Sequence, residues 1–84
     1  MAGGIVPEDM GMSIEVTRQR LERLRKKVDA STSKGYLNAK LDSAYKLILS
    51  AIELHGQARH VQAGQKIGNA NALLNEAKDA LDNL

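Results

Sequence analysis

Three stretches of the chain repeat apolar side chains at alternating steps of three and four, the spacing that lays one stripe along a helix. The first runs over 13–29, with Ile14, Thr17, Leu21, Leu24 and Val28 on the stripe. Ser13 is its predicted N-cap, because a serine hydroxyl accepts from a free N–H of the first turn. Ala30-Ser31-Thr32-Ser33 interrupts the rhythm and reads as a connection, with Thr32 or Ser33 capping the next helix.

The second stretch covers 34–60 and steps through Leu37, Leu41, Ala44, Ile48, Ala51, His55 and Ala58. It also carries Tyr45, Leu47, Leu49, Ile52 and Leu54, which widen its apolar arc to roughly 220° at about 100° per residue. Such a helix is touched on two sides and belongs at the middle of a bundle. Gly64, within Gln62-Ala63-Gly64-Gln65, is the predicted terminator before the third helix, 67–84. There Ile67, Ala70, Leu74, Ala77, Leu81 and Leu84 hold the stripe. Gly68 weakens that start, so Asn69 is an alternative cap.

These patterns predict an all-α, antiparallel three-helix bundle over 12–84, preceded by residues 1–11 as a flexible arm or appended remnant. Large and small residues alternate along the second and third stripes, so those two helices are expected to pair closely, with the first packing across them through Leu21 and Leu24.

Composition agrees with this and narrows the chemistry. In 84 residues there is room for one core, and Phe, Trp and Cys are all missing, which leaves Leu and Ala to build it. Without cysteine there are no disulfides, thiolate metal sites or thiol nucleophiles. No apolar window reaches the roughly 18 residues of a membrane span, and Met1 to Gly11 lacks the layout of a secretory signal. The compartment stays open.

Twelve basic residues against ten acidic ones give a net charge of +2, a weak pointer to polyanions. The basic run Arg18, Arg20, Arg23, Arg25, Lys26, Lys27 is broken only by Glu22. On a wheel it spreads around the helix: Arg18 and Arg25 flank one edge of the core stripe, Arg20, Arg23 and Lys27 take the opposite side, and Lys26 lies between. Glu22 with Lys26, and Arg25 with Asp29, have the stabilising i,i+4 spacing. A solvated face is the favoured reading. Arg20, Arg23 and Lys27 are the candidate polyanion surface, though no aromatic residue in the run could stack on a base.

Catalytic, cofactor and metal sites are not expected. His55 and His60 are five residues apart, which on a single helix turns them about 140° away from each other. Glu8 and Asp9 follow Pro7, Asp79 and Asp82 are ordinary surface carboxylates, and Ser31 and Ser33 have no nucleophile motif around them. Gly64-Gln65-Lys66-Ile67-Gly68 lacks the Gly-Lys-Ser/Thr ending of a phosphate loop. No enzymatic activity and no small-molecule substrate are expected.

Leu37-Asn38-Ala39-Lys40-Leu41-Asp42-Ser43-Ala44, followed by a glycine turn and Asn69-Ala70-Asn71-Ala72-Leu73-Leu74-Asn75-Glu76-Ala77, resembles the helix–turn–helix core of the FIVAR and FIMAH modules over residues 34–84. The resemblance implies a small, non-catalytic three-helix module concerned with protein contact or attachment. No binding residue carries over from it.

The reading is therefore a non-enzymatic interaction or assembly module, bound to a protein partner or to itself. Its candidate surface is the excess apolar arc: Tyr45 and Leu49 on one margin, Leu47 and Leu54 on the other. The alternatives are a small nucleic-acid-binding protein using the first helix, and a structural subunit of a larger particle.

Overall fold

The computed structural model describes residues 7–29 and 34–83 and is all-helical there: α1 (Pro7–Asp29), α2 (Lys34–Gly56) and α3 (His60–Asp82). Each helix has 23 residues, about 35 Å of length, and they lie alongside one another in a body 45 × 23 × 15 Å. The architecture is the expected antiparallel three-helix bundle.

The three stripes meet in one core. Ile14, Leu21, Leu24 and Val28 of α1 join Leu37, Leu41, Ala44, Ile48 and Ala51 of α2 and Ile67, Ala70, Leu74 and Ala77 of α3. Leu41, Ala44, Ile48, Ala51, Ala70, Leu74 and Ala77 are wholly inaccessible. The α2–α3 interface is the most extensive of the three, as the alternation of large and small residues predicts.

The boundaries differ from those read off the sequence. Ser13 is not a cap: α1 begins six residues earlier, at Pro7. Proline suits the first helical position, where its missing N–H has no partner to lose and its φ is already helical. The stripe runs one turn further back to Met10, which is buried and joins the core. Residues 7–11, expected in the arm, thus form the first turn and more of α1. The rest of that arm and the proposed caps Thr32 and Ser33 lie outside the described residues, as does Leu84.

The second boundary moves further. Gly64 does not end a helix, and Gly68 and Asn69 do not begin one; all three lie inside α3, which starts at His60. The break falls at Gln57–Arg59, where Ala58 takes a left-handed conformation, φ 61°. Its N–H donates to the His55 carbonyl at 3.0 Å, and the Arg59 N–H donates to the Leu54 carbonyl at 2.8 Å. This pair of bonds is the Schellman closure of a helix C-terminus, usually built on glycine. Here alanine occupies the left-handed position, which is why no sequence signal marked it. Ala58, expected on the α2 stripe, is instead exposed in the turn.

Candidate functional site

The wide apolar arc of α2 is only partly covered. Tyr45, Leu49 and Ile52 remain 45%, 46% and 43% exposed. They follow one another at i, i+4 and i+7, so they form a second stripe on α2 beside the core stripe. With α1 they enclose a groove of about 550 Å³, floored by Leu21 and Ile48. The other margin behaves differently: Leu47 and Leu54 are half-buried and pack against the core. The structure thus separates the four candidates, leaving Tyr45 and Leu49 open and drawing in Leu47 and Leu54. Ile52 joins the open pair. Its place seven residues beyond Tyr45 was the signal available in the sequence.

The groove has a charged rim in which opposite charges neutralise each other. Arg18 donates to Glu22 at 2.9 Å and to Glu15 at 2.6 Å, and Arg25 reaches Asp42 on α2 at 3.4 Å. The Arg18 hydrogen bond, with its charge, holds the Glu15 carboxyl below its ordinary range, and Glu15 in turn raises Arg18. Neither pair expected from the i,i+4 spacing is seen: Glu22 takes Arg18 in place of Lys26, and Arg25 turns from Asp29 to another helix. Arg25 sits at the α1–α2 boundary, where Asp42 lies within reach.

The polyanion candidates are brought together. Arg20, Arg23 and Lys27 line a shallow groove of about 260 Å³ with Leu24, and Lys78 of α3 completes it. Lys78 was not foreseen, because only packing places α3 beside that side of α1. Among the described residues no carboxylate pairs with Arg20, Arg23 or Lys27, whereas Lys78 contacts Asp82 at 3.1 Å. Arg20 bonds two neutral side chains, donating to Asn71 at 3.1 Å and to Asn75. It keeps its charge and loses freedom to reorient. No aromatic residue lines this groove.

A smaller apolar exposure lies at the start of the bundle, where Met12 and Val16 are 66% and 58% exposed at i,i+4 on α1. Tyr36 is exposed too, with the Lys40 ammonium 5.2 Å from its ring centre. Lys40 also donates to Glu76 on α3 at 3.1 Å, a bond that raises its affinity for the proton and ties α2 to α3.

The histidines depart most from expectation. His55 and His60 do not diverge: their Nδ1 atoms are 3.2 Å apart and their ring centres 5.1 Å. The expected divergence assumed one continuous helix. The turn at Gln57–Arg59 puts His55 at the end of α2 and His60 at the start of α3, so the chain reversal folds one ring against the other. Among the described residues there is no group of three or more His, Asp or Glu side chains arranged to hold a metal ion. No helix among them is long and apolar enough to cross a membrane.

No protein-family model, curated protein or solved structure matches this chain.

Proposed function

We propose that this chain is a non-catalytic helical assembly module that associates with a second copy of itself through the α1–α2 groove. The observation that carries the reading is the open stripe of Tyr45, Leu49 and Ile52 over the apolar floor of Leu21 and Ile48. An apolar ridge at i, i+4, i+7 is how helices dock into grooves, and a contiguous apolar exposure of this kind marks a contact surface. The rim admits a second copy: Arg18 and Arg25 are already offset by Glu22 and Asp42 within one chain, so two such grooves can close on each other without like-charge repulsion. A structural subunit of a larger particle would use the same surface.

Light scattering across a dilution series at two salt concentrations tests this. A discrete, concentration-dependent dimer that resists salt is expected, because the driving force is apolar burial. The triple substitution Tyr45→Ser, Leu49→Ser, Ile52→Ser should return it to monomer with the helical circular dichroism unchanged. A monomer at every concentration overturns the reading. Leu47→Ala and Leu54→Ala should lower stability, because those side chains pack against the core, while the protein that remains folded still associates.

A second reading is supported by the gathering of Arg20, Arg23, Lys27 and Lys78 in one groove. Four cations along a shallow channel suit a phosphate backbone held by charge alone, without base stacking.

A further inference from the structure

We propose that His55 and His60 form a two-nitrogen chelate for a first-row divalent transition metal, zinc or copper, at the α2–α3 turn. In the metal-free protein one Nδ1 must donate and the other accept across the 3.2 Å gap. A metal ion takes the place of that shared hydrogen. One ring shifts its hydrogen to Nε2, and both Nδ1 lone pairs then face the ion, with no change in net protonation.

The spacing is right for this. Two imidazole nitrogens at about 2.0–2.1 Å from a tetrahedral zinc lie roughly 3.3–3.4 Å apart, within about 0.2 Å of the observed separation. The geometry is also held in place before any metal arrives. Ala58 N–H to His55 carbonyl and Arg59 N–H to Leu54 carbonyl lock the end of α2. Ala51 and Ala63, both wholly buried, anchor the adjoining turns of α2 and α3 in the core. The rings are half-buried at the end of the bundle, and the surface beside His60, formed by Arg59, Val61 and Gln62, is open. The remaining coordination positions are therefore accessible to water or to ligands from a second copy. Neutral imidazole pairs select borderline cations, copper above zinc, and not magnesium or calcium. The Arg59 charge next to His60 weakens binding without blocking it, because its side chain is exposed and screened.

The test is a titration of the intact chain with zinc chloride, and separately with magnesium chloride, followed by calorimetry and by NMR of the histidine rings. Saturable zinc binding is expected, with the His55 and His60 ring signals moving together, a thermal midpoint raised by several degrees at saturation, and no response to magnesium. His55→Gln and His60→Gln should each abolish the saturable binding while the helical signal is kept. One metal per two chains, with both rings still moving, keeps the chelate and identifies the second copy as the source of the further ligands. A hydrogen-bonded pair without metal affinity gives no saturable zinc response, and that result overturns the proposal. So does a response from one ring only, or binding that survives in either single variant.

Discussion

Asn71 on α3 donates a hydrogen bond from its side-chain amide to the Thr17 hydroxyl on α1 at 3.1 Å. Thr17 sits in the apolar stripe of α1, 2% exposed, where the sequence pattern treats it as one more core position. The same amide donates to the Ile67 carbonyl at 3.2 Å, and the Asn71 oxygen accepts from Arg20. One asparagine thereby sets both the rotation and the axial register of α1 against α3, which Leu-on-Leu packing leaves loosely specified. Thr17→Val and Asn71→Ala should each cost about 1–2 kcal/mol, with a coupling of about 0.5–1.5 kcal/mol between them in a double-mutant cycle by urea denaturation. Strict additivity would show that the bond does not hold the register.

Ala58 occupies a backbone conformation that suits glycine better, at φ 61°. Ala58→Gly should stabilise the protein by about 1 kcal/mol, since the Cβ penalty of the left-handed region is of that order. In a domain of this size that corresponds to a rise of roughly 4–8 °C in thermal midpoint, readable by calorimetry. A destabilised Ala58→Gly would mean that glycine's added freedom in the unfolded chain outweighs the relief of strain.

Small residues, Ala44 and Ala51 on α2 and Ala63, Ala70 and Ala77 on α3, are wholly buried in the core. Ala51 is wholly buried, so Ala51→Leu should cost about 1–3 kcal/mol by overpacking. Ala39→Leu, on the exposed side of the same helix, should be near neutral and serves as the reference in chemical denaturation.

Arg18 lowers the folded-state pKa of Glu15. Its contribution to stability is then fully present above the unfolded value of about 4.3 and is lost as the pH falls through the lower folded value. Arg18→Gln should move the Glu15 side-chain titration, followed by NMR, back up towards the ordinary range. Both side chains are well exposed, so the accompanying change in stability should be small.

The basic groove makes a prediction separate from self-association. If it binds a phosphate backbone, affinity for a duplex oligonucleotide should fall steeply with salt, with a log–log slope of about −3 to −4 for four contacts. Lys78→Gln should reduce that slope by about one. Binding that ignores salt, or no binding at low salt, sinks the nucleic-acid reading.

Most of the helical content and nearly the whole core were legible in the chain, because a three–four rhythm of Leu, Ile and Ala needs no knowledge of its partners. The boundaries were harder to read. Pro7-Glu8-Asp9 is itself a helix start, but Gly11 obscured it, and Met10 then looked like part of an arm. Glycines at 64 and 68 suggested an end to a helix that packing carries straight through, since Ala63, Ile67 and Ala70 are all buried. Of the candidate surface, the excess arc on α2 was visible. Which margin stays open was not.

By itself, then, the sequence determined that this protein is three amphipathic helices around a Leu/Ala core, because local periodicity and helix propensity are properties of each segment alone. Tertiary structure decided what faces what. Docking α1 against α2 and α3 left Tyr45, Leu49 and Ile52 open, joined Lys78 to the arginines of α1, and bonded Asn71 to Thr17. Ending α2 on a left-handed alanine brought His55 onto His60. Each of these depends on where the chain reverses and how the helices rotate about their own axes. Those quantities are settled by the packing of the whole bundle and not by the spacing within any one helix.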